Sequence, residues 1–409
     1  MGKHCVRNAF VLALLLGVIS VAMGCGGSSA SSSTPSGGGT GGGGTGGGGT
    51  GGGGTGGGGG GGSGAGMPAA LGTVSGVSAL SSCPAMQNYA AGMSCYQATV
   101  SCPNTADIGV TYGYLAPPGT IQGTVFFHGG GDGTEAQDIS DFAPDYLGAG
   151  YALVQMSWAT QWENTGLTTL NVGYAACRPA TLMNYIFQKV ATTSGAAKCA
   201  QGFSAGSAAV GYALAWYGAG SYLDNAELIS GPVFSDIEQG CEYPPPALLN
   251  ICVPGQFGCP ANSEFQDSPS YVPGTAEGVG GITGDPTCGG GGTGTPTSAQ
   301  SGANWKAMSI VNGTSMPSFT YPDTSIAGWV CNNGTTSVGN NSAAQGDIFY
   351  LQFTSTSQTG GSFSLNPVSN CNGDEGVSQG NIGTTPGWQA ITNDTIGSAT
   401  NAPHCTVRH

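Results

Sequence analysis

An α/β fold with a mostly parallel central sheet, helices on both faces and a cysteine-rich lid insertion is what this chain predicts from residue 107 onward. Three observations predict it. Strand-like and helix-like periods alternate along the sequence. Several of the strand segments are continuous apolar runs rather than alternating ones, as strands buried on both faces are. One long stretch, 234–297, loses all period and carries four cysteines, Cys241, Cys252, Cys259 and Cys288.

In order, Ile108–Tyr114 alternates as a strand, and Gly123–Phe127 is a short buried strand of β-branched and aromatic residues. Asp138–Leu147 reads as a helix and Tyr151–Met156 as a second buried strand. Tyr174–Ala191 has apolar residues at helical spacing: Ala175, Leu182, Tyr185, Ile186 and Val190. Ala197–Gly202 is a strand, Ala205 to Tyr217 an Ala-rich helix, and Ala226–Ile229 a strand. A structureless 234–297 would be too long a loop for a compact domain, so it is expected to be a disulfide-stapled lid. Ser298–Val311 returns to helical period. Strand-like runs follow at Ser318–Tyr321, Ser325–Val330 and Ser362–Val368.

Residues 1–66 read as leader and linker rather than as fold elements. Lys3 and Arg7 precede an apolar run, Ala9–Met23, of signal-peptide length and too short to span a bilayer comfortably. The run ends at Ala22-Met23-Gly24-Cys25, which resembles the bacterial lipobox and implies lipidation of Cys25. Ala22 stands where that motif favours Leu, and a plain secretory leader is the other reading. Residues 26–66 are almost wholly Gly, Ser and Thr, a flexible coil spanning roughly 35 Å root-mean-square. The expected organisation is a leader over 1–25, a tether over 26–66 and one domain over 67–409. That puts the domain outside the cell, secreted or held to the envelope through a lipid alone.

Charge excludes one class of partner. The net charge is −14, and beyond residue 25 the only cations are Arg178, Lys189, Lys198, Lys306 and Arg408. Five scattered cations cannot build a phosphate-binding face, so nucleic acid is not a partner. Of 14 cysteines, all but Cys5 and Cys25 form an even set of twelve, read as up to six disulfides of undefined connectivity. Metal-type CxxC pairs are absent, and no metal or organic cofactor is expected.

Two motifs carry chemistry. Gly202-Phe203-Ser204-Ala205-Gly206 fits G-x-S-x-G, in which a serine occupies a tight strand-to-helix turn and small flanking residues let strand and helix approach. His128-Gly129-Gly130-Gly131 follows the strand ending at Phe127, and its glycines free backbone N–H groups to face a developing oxyanion. In this order and spacing the pair resembles the esterase- and lipase-like members of the α/β-hydrolase superfamily. The resemblance implies Ser204 as nucleophile, an oxyanion hole from Gly130, Gly131 and Ala205, and a structural His128. It also implies an ester substrate, and the tether suggests one met outside the cell, such as a plant-wall ester, a polyester or a lipid.

The base and the acid are less defined. Of four histidines, His4 lies in the leader and His128 in the glycine turn, leaving His404 and His409. Both follow Ser204, as the family order requires. His404-Cys405 resembles the His-Cys pair of feruloyl esterases and tannases, where a disulfide ties the base to the elbow strand. There the partner cysteine directly precedes the serine, a position held here by Phe203, and Cys199 is the nearest cysteine. Asp323, after the run Ser318–Tyr321, is the favoured acid, with Asp236 as alternative. A second register makes Ser325–Val330 the seventh strand and Ser362–Val368 the eighth. The acid slot then holds Asn332-Asn333-Gly334, and the histidine slot holds Asp374-Glu375. Trp158 and Trp162 line an acyl pocket or pack beneath the lid.

Three functions therefore stand side by side: an acyl-enzyme esterase, a serine peptidase on the same fold, and a surface-binding lipoprotein on a degenerate hydrolase scaffold. The HGGG run favours esters over peptides.

Overall fold

The computed structural model describes residues 70–131, 133–166, 171–232, 234, 309–310, 321–331, 362–370, 377 and 380–409. The expected leader, Cys25, the linker, the lid over 235–297, Asp236 and Asp374-Glu375 lie outside these residues, as does nearly all of the expected helix Ser298–Val311.

Nine strands form one sheet: β1 (Thr73–Ala79), β2 (Ser94–Ser101), β3 (Ile108–Leu115), β4 (Gly123–His128), β5 (Tyr151–Trp158), β6 (Ala197–Phe203), β7 (Asn225–Ile229), β8 (Ser325–Cys331) and β9 (Phe363–Val368). Their order is β1-β2-β3-β5-β4-β6-β7-β8-β9. Pairing is parallel from β5 through β4, β6, β7 and β8 to β9, and antiparallel among β1, β2, β3 and β5. The parallel strands read as expected. Every residue of β4, β5 and β7 is buried, because helices cover both faces.

Alternation along β4 assigns the faces. Phe126 points into a core shared with α3 (Cys177–Tyr185) and α4 (Ala205–Tyr217). Val125 and Phe127 point the other way, onto Tyr146 of α1 (Ala143–Gly148). Farther along that second face, Ile229, Ala327 and Trp329 pack against Ile391 of α5 (Gly387–Ile396). A small hairpin, β10 (Asn381–Ile382) with β11 (Thr385–Pro386), leads into α5.

Several elements differ from expectation. The helix foreseen over Asp138–Leu147 is only its second half, because Asp138 folds an Asx turn onto the Ser140 amide and Pro144 starts the helix. Tyr174–Ala191 is three pieces: α2 (Val172–Ala175), capped by the Asn171 side chain, then α3, then a π-helical turn over Ile186–Val190. Tyr321 is not in a strand, and β8 begins only at Ser325. The strands β1 and β2 were not foreseen. β1 is mostly solvent-exposed and therefore lacks a core-facing stripe.

Three disulfides join described residues: Cys83–Cys95, Cys102–Cys177 and Cys199–Cys405. The first staples β2 to the preceding loop, and the second ties Cys102, the residue after β2, to α3. Among the described residues no helix is long and apolar enough to cross a membrane.

Candidate active site

The strand order reverses around β4, since β5 lies on one side of it and β6 on the other. In open parallel sheets such a reversal opens a crevice beyond the carboxyl ends of the strands, where ligands bind. Both sequence motifs leave the sheet there: the glycine turn from β4, and Ser204 from β6.

Ser204 has φ 53° and ψ −119°, a combination that L-residues other than glycine rarely adopt. The turn is held from three sides. Its N–H donates to the Ile229 carbonyl at 2.8 Å, and its carbonyl accepts the Ser207 hydroxyl at 2.6 Å. A Cβ on Gly202 would lie 2.2 Å from the Gly206 carbonyl oxygen, and one on Gly206 would lie 2.2 Å from that of His128. Both glycines are therefore required by close backbone approach. Ser204 is 5% exposed, and among the described residues its hydroxyl has no hydrogen-bond partner.

The glycine turn lies directly over the serine. A Cβ on Gly130 would sit 3.1 Å from both the Ser204 Cβ and the Phe203 ring. Gly131 has φ +57°, and the turn closes with Gly133 N–H donating to the Gly130 carbonyl at 3.2 Å. The amides of Gly131 and of Ala205, the first residue of α4, have no hydrogen-bond partner among the described residues. Orphan N–H groups beside a buried serine form a ready anion site.

His128 anchors this turn from beneath. Its Nε2 accepts from Trp158 Nε1 at 3.1 Å, so Nδ1 carries the proton and donates to the Gly129 carbonyl at 2.9 Å. Burial pushes its pKa down to about 4, opposed by the bond to Gly129. Trp162 packs edge-on against the His128 ring and on Phe234. The two tryptophans are thus wholly buried supports of the turn. Arg178, inside the protein, holds the Trp162 segment in place by donating to the carbonyls of Ala106, Trp162, Asn164 and Thr165.

The expected base and acid are not brought to Ser204. Cys405 is bonded to Cys199, and its carbonyl accepts the hydroxyl of Tyr151, the first residue of β5. Cys199 precedes Ser204 by five residues of strand, about 16 Å. His404 accordingly lies toward the amino-terminal end of the parallel strands, with its Nδ1 2.8 Å from Asp394 Oδ2 on α5. That hydrogen bond raises its pKa, against partial burial. His409 Nε2 is 3.0 Å from the Leu223 carbonyl, and the Arg408 N–H donates to Asp224, both just ahead of β7. Asp323 stands just ahead of β8, where the adjacent Thr324 hydroxyl also donates to Leu223. It enters its strand rather than leaving it, so it sits at the wrong end of the sheet for Ser204. The strand count from β2 follows the second register: β8 is seventh and β9 eighth.

The sequence reading missed a buried acidic centre between β7 and α5. Glu227 is fully buried and accepts from Trp329 Nε1 at 2.6 Å. Burial, and then the neighbouring Asp394 carboxylate, hold its carboxyl well above the usual range. A glutamate inside the apolar run Ala226–Ile229 was the available signal.

No protein-family model matches this chain, and no curated protein matches it. Among solved structures it is similar to the acetyl xylan esterase 1 of Thermoanaerobacterium sp., at 12% identity and TM-score 0.42, over 74% of this chain and 83% of that one. It is similar to an arylesterase at 9% identity and TM-score 0.43, over 76% and 84%. A third is brefeldin A esterase, a bacterial homologue of human hormone sensitive lipase, at 11% identity and TM-score 0.37, over 77% and 78%. All three fall below a TM-score of 0.5, so the chemistry of the site rests on its own atoms.

Proposed function

We propose that the chain is an exported serine ester hydrolase on an α/β-hydrolase-like scaffold. The observation that carries this is the strained Ser204 lodged against the glycine turn. Holding a non-glycine residue at φ 53° costs of order 1–3 kcal/mol, a cost tolerated where the strain serves function. Ser204 Oγ attacks the ester carbonyl while the amides of the Gly130-Gly131 turn and of Ala205 receive the oxyanion. The base that takes the Ser204 proton returns it to the leaving oxygen, so an alcohol departs, and water then hydrolyses the acyl-enzyme, freeing a carboxylic acid and Ser204.

The proton acceptor in this scheme is a carboxylate. His128 has both ring nitrogens engaged, and His404 and His409 are held at the opposite end of the strands. In sequence, Asp374 and Glu375 follow β9, where the resemblance puts the base. A carboxylate base carries its proton at a lower pH than imidazole does, so turnover should persist well below pH 6. The three disulfides and the leader-like first 25 residues support export, and the lipobox supports a tether through Cys25.

A second reading is favoured by one specific observation: no described ionisable group reaches the Ser204 hydroxyl. On that reading the scaffold binds a carbonyl or anionic ligand without turnover.

The experiment is p-nitrophenyl acetate hydrolysis from pH 4 to 9, with fluorophosphonate labelling, for the oxidised wild type, Ser204→Ala, Asp374→Asn and Glu375→Gln. Labelling and turnover that vanish in Ser204→Ala, with an acid limb below pH 6 abolished by one carboxamide variant, support the hydrolase. An acid limb at 6.5 would refute the carboxylate base. Neither label nor turnover from a cooperatively folded protein would leave the binding scaffold.

A further inference from the structure

The backbone of the glycine turn over Ser204 has no strong conformational preference of its own. Gly129 and Gly130 tolerate φ of either sign, so the peptide plane between them can stand either way up. That peptide is trans, since the one cis bond among the described residues is Gly231–Pro232. A trans peptide holds its C=O and its N–H antiparallel. Turning the plane over therefore puts the Gly129 carbonyl where the Gly130 N–H stands. A contact from outside the backbone of the turn has to choose between the two.

That contact runs back to the end of β5. His128 Nδ1 donates to the Gly129 carbonyl at 2.9 Å, and His128 Nε2 accepts from Trp158 Nε1 at 3.1 Å. We infer that Trp158 is a positioning residue: its indole N–H fixes the His128 tautomer, and the tautomer fixes which way the Gly130 N–H faces. The part that makes this N–H an oxyanion donor rests on the hydrolase reading above.

The chemistry allows one direction through this chain. An indole nitrogen donates and does not accept, so Nε2 has to keep its lone pair. Burial lowers the His128 pKa to about 4, and above that pH the ring holds a single proton, which is left to Nδ1. The other tautomer would set two N–H groups against each other at Trp158 and two lone pairs against each other at Gly129. Both rings are buried, so water cannot relieve either clash. Trp158 also holds the far end of the turn. Its backbone N–H donates to the Gly133 carbonyl at 2.8 Å, and a Cβ on Gly133 would lie 2.8 Å from its ring. Trp162 packs edge-on against the same imidazole, yet its Nε1 has no hydrogen-bond partner among the described residues. It supplies bulk there and no proton.

The test is Trp158→Phe in the oxidised full chain, which keeps a ring and deletes the donor. Nitrogen NMR of histidine-labelled protein reads which His128 nitrogen bears the proton, with His128→Asn assigning the signals. The wild type should carry it on Nδ1. Trp158→Phe should move it toward Nε2, and Trp162→Phe should not. Turnover of p-nitrophenyl acetate should fall in Trp158→Phe by about ten-fold or more in kcat with KM little changed, approaching the roughly 10²–10³ that one lost oxyanion donor costs. His128→Asn keeps an N–H near the Nδ1 position and has no tautomer to choose. Adding Trp158→Phe to it should therefore cost little more. Should Trp158→Phe not fold, benzothienylalanine at position 158, with sulfur in place of the N–H, takes its part. A wild-type proton on Nε2, a tautomer unmoved by loss of the donor, or an equal kcat loss in the wild-type and His128→Asn backgrounds would overturn the inference. A tautomer that moves in a protein without turnover refutes the hydrolase and keeps the role of Trp158, whereas turnover with an unmoved tautomer does the reverse.

Discussion

Replacing Ser204 with glycine and with alanine separates the hydroxyl from the backbone. Both variants remove the nucleophile, and only glycine is at ease at φ 53°, ψ −119°. Strain of this kind costs of order 1–3 kcal/mol. Glycine gives back roughly 0.5–1 kcal/mol through the greater freedom of its unfolded chain. The net expectation is that Ser204→Gly exceeds Ser204→Ala in stability by about 1–2 kcal/mol. A domain of roughly 340 residues unfolds with an entropy near 0.7 kcal/mol/K, so the midpoint should differ by about 1.5–3 °C. Urea is the better assay, because the two variants expose the same surface and share an m-value, and the difference reads directly as a midpoint shift. Equal midpoints, or a more stable alanine variant, would refute the claim that the turn stores strain. Loss of ester turnover in both would show that the hydroxyl, and not the turn, is what reacts.

Three further outcomes follow from the geometry. The loops closed by Cys83–Cys95 and Cys199–Cys405 span 12 and 206 residues, so chain entropy alone makes the second worth about 5 kcal/mol and the first just under 3. Paired alanine substitutions followed by urea unfolding should rank in that order, and the reverse order would sink the entropic account. His404 has a raised folded pKa, so its stabilisation is complete below 6.5 and fades as pH climbs through the folded value. The wild-type stability should fall over that window by ~1 kcal/mol or less, since the ring is 36% exposed, and His404→Gln should lack the slope. Glu227 is the opposite case to a salt-bridged carboxylate. Its raised folded pKa makes folding lose stability as pH rises past the ordinary glutamate value, so Glu227→Gln should be more stable than wild type at pH 7 and show a flatter profile.

What the sequence disclosed divides by range. The elbow and the glycine turn are contiguous motifs whose geometry follows from local sterics, and both stand at the carboxyl ends of the strands that precede them. The buried strands Gly123–Phe127 and Tyr151–Met156 were readable because both faces are covered and no polar alternation interrupts them. The partners of Ser204 depend instead on which strand a distant residue enters. Taking Ser318–Tyr321 as a strand put Asp323 at a carboxyl end, whereas β8 starts two residues after Asp323 and reverses its place across the whole sheet. His404 was tied to β6 by its neighbour, as the resemblance suggested. The tie is made at Cys199, near the start of the strand, and that five-residue offset carries the imidazole away from the elbow. The acidic centre at Glu227 needed Asp394, 167 positions away, to be recognisable.

The way the cysteines pair bears on how the chain can be made. Cys83 with Cys95 and Cys102 with Cys177 join each thiol to the next one along the chain. A protein delivered amino-terminus first into an oxidising compartment forms these two bonds in the order the thiols arrive. Cys199 does not follow that rule. Six other cysteines, from Cys241 to Cys371, emerge before its partner Cys405. Nearest-neighbour oxidation therefore traps Cys199 in the wrong bond, and reaching the native pairing requires thiol–disulfide exchange after the last residues have emerged. Host compartments equipped only to oxidise thiols should accumulate mispaired product, whereas those that also isomerise disulfides should deliver the folded protein.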